Sequence, residues 1–351
     1  MFRQLLELAA QKGASDIHLV TGEAPLLRVD GRLARTNLPV LTAEGFREWL
    51  TTLLPAGQLE ELGKKGELDT AASTASLRLR LNIYRRLGGW AAAIRLLPQR
   101  VPTLEELGLP AGLTVLAEQR QGLLLVTGPT GSGKSTTLAA CIEHLNRTRD
   151  LHIITIEDPV EYRHVNRRAL INQREVGRDT ESFASGLRAA LRQDPDVILV
   201  GEMRDLTTIA TALTAAETGH LVLSTLHTAS AAQTVDRIID VFPAHQQPQV
   251  RSQLAGVLAG IVAQRLLPRQ TGSGRVAALE ILVATPAVRN LIREGKTFQL
   301  PSVIQAGRQT GMQALEHSLT RLYQAGSVAY EEALAAANDQ ALFVQLARAG
   351  M

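Results

Sequence analysis

Cysteine occurs once in the 351 residues, at Cys141, so the chain can form no internal disulfide and no cysteine-rich zinc site. Aromatic side chains make up 3%, too few for the stacking platforms of single-strand nucleic-acid binders. Lysine is scarce, at five of the 37 basic residues. An arginine excess suits forks onto phosphates or subunit contacts, and a compositional habit of the source genome produces it equally well. The net charge of +3 gives no strong basic field. The longest apolar run, residues 254–263, is half of what a membrane-spanning helix of ~20 residues needs. Residues 1–7 carry no apolar signal-peptide core. These absences point to a cytoplasmic protein with no membrane span of its own and no nucleic-acid partner.

What remains is ordinary for a globular chain: 45% hydrophobic and 20% charged residues. The length suits two domains better than one. Apolar positions at Leu5, Leu6, Leu8 and Ala9 predict an amphipathic helix over residues 2–12. Residues 16–20 and 26–29 read as strands, the second running into an Asp30-Gly31 hairpin turn. Residues 42–62 read as helical. Residues 76–84 alternate with period two, as an edge or half-buried strand should, and a further strand over 90–96 follows Gly88-Gly89. This is an α+β module with an antiparallel sheet, spanning residues 1–99. Pro98, Pro102 and Pro110 punctuate an expected linker over 100–121. From Gly122 the pattern changes to short, wholly apolar strands at 123–126, 152–156, 197–200 and 221–225, separated by helices. That alternation predicts a parallel sheet covered on both faces, in a second domain over 122–351. Beyond about residue 248 the chain reads as mostly helical, with one more strand over 276–282.

Gly128-Pro129-Thr130-Gly131-Ser132-Gly133-Lys134-Ser135 matches the phosphate-loop pattern in full, between an apolar strand and a helix expected to run to about Asn146. Its glycines let backbone N–H groups turn inward around phosphates, and the helix start adds positive potential. Lys134 would reach the β- and γ-phosphates of ATP and the Ser135 hydroxyl would hold Mg²⁺; Thr136 follows in the same helical turn. An apolar strand at 197–200 ends in Gly201-Glu202, placing Glu202 to hold a Mg²⁺-bound water. Glu157, Asp158 and Glu161 lie in an acidic turn stiffened by Pro159, and spacing leaves Glu157 and Glu161 both open as the group orienting the attacking water. His220 and His227 flank one strand, too far apart to share a metal. His227 is expected to sense the γ-phosphate and couple it to Arg204-Asp205, while His220 reads as well as a plain capping or core residue as it does as a functional one.

With these blocks in this order, the chain resembles the type IV pilus retraction ATPases, the PilT-like twitching motility proteins, within the hexameric RecA-like secretion ATPases. The likeness extends over nearly the whole chain, through Gly13-Ala14-Ser15-Asp16, Asn172-Gln173-Arg174-Glu175, Gln193-Asp194-Pro195-Asp196, residues 201–227, residues 286–296 and Gly311-Met312-Gln313. The resemblance implies a RecA-like P-loop ATPase domain preceded by a smaller PAS-like α+β domain. It selects Glu161 as the catalytic glutamate, and places nucleotide between domains where Arg80 and Arg95 approach the phosphates. It further implies a homo-hexamer, an inner-membrane pilus platform protein as partner, and work at the cytoplasmic face of that membrane. Residues 287–291 match the AIRNL motif, tied in the family to retraction rather than hydrolysis, with Val288 for isoleucine, a small apolar change. Assembly-type relatives carry an added N-terminal domain and a four-cysteine zinc site; the start at Met1-Phe2 and the lone Cys141 favour retraction. The other readings are a motor of another secretion or conjugative pilus system, an ATP-driven nucleic-acid translocase, and a regulatory paralogue that binds ATP to gate a partner.

Overall fold

The computed structural model describes all residues except 1, 30, 75–77, 98–99, 272–273 and 350–351. The chain divides into two compact units, Met1–Arg100 with Pro159–Arg163, and Val101–Asp158 with His164–Met351.

In the first unit, helix α1 (Phe2–Gln11) buries Leu5, Leu6 and Ala9. It is followed by β1 (Asp16–Val20), β2 (Leu26–Val29), β3 (Arg32–Arg35), α2 (Ala43–Leu53), α3 (Ala56–Lys65), β4 (Glu67–Ser73), β5 (Arg78–Arg86) and β6 (Gly89–Leu97). The strands form one antiparallel sheet in the order β3-β2-β1-β6-β5-β4. Alternate residues such as Ile17, Leu19, Leu79, Leu81, Ile83 and Ile94 turn into a core with Leu5, Phe46 and Trp49, leaving the opposite face polar. The hairpin expected near Gly31 forms as β2–β3, with Asp30 itself outside the described residues. The expected single helix over 42–62 is two: Leu54 is extended and Pro55 precedes α3. Proline disfavours the helical conformation in the residue before it, so the break is local chemistry. The strand expected at 76–84 is β5, which is half-buried, the second of the two expected forms, and lies between β6 and β4; Ser76 and Leu77 lie outside the described residues. Sequence reading missed β4, because Leu68 and Thr70 alternate inward among small and polar neighbours.

The second unit opens with α4 (Ala111–Ala117), within the stretch 100–121, and Leu104, Leu113 and Leu116 pack into its core. Pro102 and Pro110 flank this region; Pro98 lies outside the described residues. Then come β7 (Gly122–Thr127), α5 (Lys134–Thr148), β8 (His152–Glu157), β9 (Leu170–Glu175), α6 (Phe183–Ala190), β10 (Val197–Val200), α7 (Leu206–Glu217), β11 (Leu221–Leu226), α8 (Ala231–Asp240), α9 (Gln247–Val257), β12 (Leu258–Pro268) and β13 (Arg275–Val283). The sheet order is β13-β12-β7-β11-β10-β8-β9, parallel throughout except for the antiparallel β12–β13 pair. Every residue of β7 is buried. Leu123 and Leu125 join a core with α6 to α9, whereas Leu124 and Val126 join another with α4 and α5. Two buried faces explain the unbroken apolar strands.

Helices α10 (Pro286–Arg293) and α11 (Leu300–Ala306) complete the first of those cores. A terminal cluster of α12 (Leu315–Gln324), α13 (Tyr330–Ala336) and α14 (Gln340–Ala349) packs Leu319 and Phe343 against Leu267 and Ala278 of the β12–β13 pair. Beyond 248 the structure is mostly helical, as expected, and the strand expected at 276–282 is β13, but an 11-residue strand, β12, was not expected. Its first residues are buried on both faces, which erases the period-two signal and leaves a run equally compatible with a buried helix.

Candidate active site

Because β7, β8, β10 and β11 are parallel, the loops after them leave one edge of the sheet. This edge carries the phosphate-loop pattern after β7, Glu157 at the end of β8, Glu202 after β10 and His227 after β11. In open parallel sheets this carboxyl edge is where ligands bind.

The loop is shaped by its glycines. Gly128, Gly131 and Gly133 have φ of 143°, 79° and 87°, in the region that side chains other than glycine rarely adopt. At Gly128 a Cβ atom would lie 2.3 Å from the Gln264 carbonyl oxygen and 2.6 Å from Ser132 Oγ, so the position has neither the angle nor the space for another residue. Pro129, Thr130 and Gly131 are exposed at the tip, Ser132 and Lys134 are buried, and Ser135 is exposed on the first turn of α5. The Lys134 ammonium donates to the carbonyls of Gly128 at 2.8 Å and Pro129 at 3.0 Å, which curls it over the loop. Helix α5 begins at Lys134 with Gly133 as its N-cap, and the first N–H groups of a helix have no intrahelical acceptor. Ser132 Oγ is buried without a hydrogen-bond partner among the described residues. A concave loop with glycine-only backbone, one buried ammonium, a helix start and hydroxyls at 132, 135 and 136 fits a phosphate chain.

Glu202 is the acidic centre of the same edge. Its carboxylate meets Arg204 Nε at 2.6 Å and His227 Nε2 at 3.3 Å, with its side chain only 17% exposed. The strand ends are pinned beside it, since Thr225 Oγ1 donates to Gly201 O at 2.7 Å and Ser224 Oγ to Val200 O at 2.7 Å. His227 therefore couples to Arg204 through the shared Glu202 carboxylate. Asp205 does something else: it is the N-cap of α7, accepting from Thr208 N at 2.9 Å and Thr208 Oγ1 at 2.7 Å. Burial raises the Asp205 pKa, and these hydrogen bonds more than reverse it, leaving the group below its ordinary 3.8. His220 is a capping histidine: Nδ1 lies 3.0 Å from Ala215 O and 3.2 Å from Thr218 Oγ1, at the C-terminal end of α7.

Glu157 accepts from Thr155 Oγ1 at 2.6 Å and Gln173 Nε2 at 3.2 Å, which fixes its carboxylate at the end of β8. Glu161 lies in Pro159–Arg163, the stretch that groups with the first unit, whereas Lys134, Ser135, Glu157 and Glu202 belong to the second. Within the first unit Val160 O accepts from Arg78 Nε at 2.9 Å. Arg80 and Arg95 lie on the polar face of the antiparallel sheet, Arg80 paired with Asp69 and Arg95 with Asp16, each at 3.0 Å.

Two residues of this neighbourhood escaped the sequence reading. Gln264 on β12 reaches Ser132 O and Thr137 Oγ1, at 2.6 and 2.8 Å. Arg275, opening β13, donates to Gly131 O at 3.2 Å. Both lie more than 125 residues along the chain from the loop they touch, on a strand pair whose first member read as helix, so no local pattern announces them. Arg289, inside the AIRNL match, donates to the carbonyls of Ala255, Gly256, Leu258 and Ala284, and so holds the end of α9 against the start of β12. Its neighbour Val288 is fully buried.

The description "Type II/IV secretion system protein" names a family whose model matches residues 1–335. The type IV pilus retraction ATPase PilT of Pseudomonas aeruginosa is 48% identical over 331 residues, covering 94% of this chain and 96% of that protein. A twitching motility protein of Neisseria gonorrhoeae is 50% identical over 310 residues, covering 88% of this chain and 83% of that one. Among solved structures, the pilus retraction motor PilT with bound ADP superimposes with a TM-score of 0.90 at 46% identity, covering 97% of this chain and 98% of that chain. The P-loop strand order, the glycine cradle and these likenesses agree: this chain belongs to the type II/IV secretion system protein family.

Proposed function

We propose that the chain is an ATPase motor that powers retraction of type IV pili. The observation that carries this is the glycine loop of residues 128–135, curled around Lys134 at the same sheet edge as Glu202. The likeness to retraction ATPases over more than nine-tenths of the chain supports the biological setting. In this reading Lys134, the loop N–H groups of residues 130–133 and the start of α5 hold the phosphates of ATP, with Thr136 beside them. Ser135 and, through a water, Glu202 hold Mg²⁺, which would offset charge on the phosphate oxygens when bound. His227 senses the γ-phosphate and, by sharing the Glu202 carboxylate with Arg204, couples the loop after β11 to the loop after β10. Glu161 orients the attacking water, and Arg80 and Arg95 approach the phosphate charge.

The wider assembly belongs to the same proposal. Six copies form a ring, the ring acts on a pilus platform protein of the inner membrane, and the chain works at that membrane's cytoplasmic face. No helix among the described residues is long and apolar enough to cross a membrane. The test is deletion of the gene in its own cells. Surplus pili with loss of twitching is the expected result; bald cells would overturn retraction in favour of assembly. Hydrolysis stimulated severalfold by added DNA would instead point to a nucleic-acid translocase.

A further inference from the structure

Gln264 stands just beyond the last ladder pair that joins β12 to β7, Ala263 with Thr127, and so lies level with Gly128. Its side chain is turned into the protein, the residue being only 3% exposed. The amide is used at both ends: Nε2 donates to Ser132 O at 2.6 Å and Oε1 accepts from Thr137 Oγ1 at 2.8 Å. It thus ties the body of the glycine loop to the first turn of α5. The same residue limits two of the loop's glycines. A Cβ at Gly133 would lie 2.8 Å from Gln264 Nε2, and one at Gly128 would lie 2.3 Å from the Gln264 carbonyl oxygen.

The bond to Ser132 O has a directional consequence. In a trans peptide the C=O of one residue and the N–H of the next point in opposite directions. Holding Ser132 O toward Gln264 therefore turns the Gly133 N–H away from it, into the concave side of the loop. Successive N–H groups aimed into such a concavity make an anion site. The carboxamide supplies the donor and the acceptor together; an aliphatic side chain supplies neither, and an ionised carboxylate has no donor for Ser132 O until it is protonated.

We infer that Gln264 is a positioning residue for the phosphate loop, aiming its backbone N–H groups at the nucleotide through Ser132 and Thr137. This rests on reading residues 128–135 as the phosphate cradle. The experiment measures binding of a fluorescent ADP analogue with Mg²⁺ to the full chain, alongside thermal unfolding without nucleotide. Gln264→Met should weaken binding about tenfold or more, the scale of a buried carbonyl left without its donor. Thr137→Val, which removes only the Oε1 partner, should weaken it by about threefold to tenfold. The informative variant is Gln264→Glu. Near about pH 8 its carboxylate faces the Ser132 carbonyl and binding is lost; toward about pH 6 the buried carboxyl takes up the proton it then donates, and affinity recovers. The parent chain should show no such recovery. A side chain that merely supports the fold would lower the unfolding temperature and leave the folded variants' affinity and pH profile alone.

Parent-like affinity in folded Gln264→Met, or pH-independent affinity in Gln264→Glu, would overturn the inference. Should neither variant fold, unchanged affinity in Thr137→Val overturns it and the expected loss supports it. Failure of the parent chain itself to bind the analogue would instead remove the phosphate-cradle reading.

Discussion

Arg80 and Arg95 sit within strands of the six-stranded sheet, each against a carboxylate of a neighbouring strand, whereas Glu157, Glu202 and His227 stand at or just beyond the last paired residue of a parallel strand and Lys134 opens the helix that follows another. The difference follows from how each sheet is covered. The antiparallel sheet has one face on a core and one face polar, so charged side chains fit anywhere along its strands. The seven-stranded sheet has cores on both faces, and on its inner strands β7, β8, β10 and β11 the titratable side chains fall at the strand ends. Parallel strands bring those ends to one edge, which gathers an ammonium, two carboxylates and an imidazole without any local sequence signal linking them. Chemistry at the parallel edge should therefore be sensitive to single substitutions, and charge pairs on the antiparallel face should tolerate them.

Among the strand-end groups the largest effect is expected at Glu202. Glu202→Gln keeps the shape of the side chain and removes the charge shared by Arg204 and His227. Phosphate release should fall by about 10²-fold to 10³-fold, with circular dichroism and unfolding temperature little changed. Parent-like turnover would mean that the strand-end carboxylate takes no part, and the contrast between the sheets would lose its functional content.

An intermediate effect, on stability, is expected inside the second unit. Glu143 on α5 is nearly buried and is bonded by Arg147 at 2.7 Å, Arg167 at 3.1 Å, Asn146 at 3.2 Å and the His164 ring at 3.3 Å. Burial opposes its ionisation, but these partners outweigh burial and hold it below the ordinary 4.5. Its stabilisation is accordingly present above that value and is lost as pH falls through the folded pKa. Burial holds His164 below 6.5 despite Glu143, so its contribution also disappears on acidification. Glu143→Gln should cost about 1–3 kcal/mol in urea unfolding near neutral pH, and the gap to the parent chain should close below about pH 4. A gap that widens in acid would contradict this account of the network.

The smallest effect is expected on the antiparallel face. Arg80→Ala and Arg95→Ala each break an exposed or half-exposed ion pair, so stability should change by less than about 1 kcal/mol. If turnover drops while stability holds, these arginines act on phosphate; if both stay constant, they are surface pairs only.

The legible parts of the sequence were those with short-range causes. The phosphate loop announces itself because its glycines, lysine and serine are contiguous, and the strands at 16–20, 26–29 and 197–200 fall where composition places them. Strand β12 was illegible because burial on both faces removes the alternation that distinguishes a strand from a buried helix. The break at Pro55 had a readable cause and was passed over. Gln264 and Arg275 could not be read, because their role depends on a strand pairing more than 125 residues distant from the loop. The histidines divided by position: His220 ended as a helix cap, while His227 met Glu202 across a strand end.

The central claim is that Lys134, held by its own loop, grips the phosphates whose hydrolysis drives the chain. Its most direct test is steady-state phosphate release from ATP and Mg²⁺ by the purified full chain and by Lys134→Ala. Hydrolysis by the parent chain and background release by the folded variant are the predicted pair; a folded Lys134→Ala that turns over ATP at the parent rate would contradict the account.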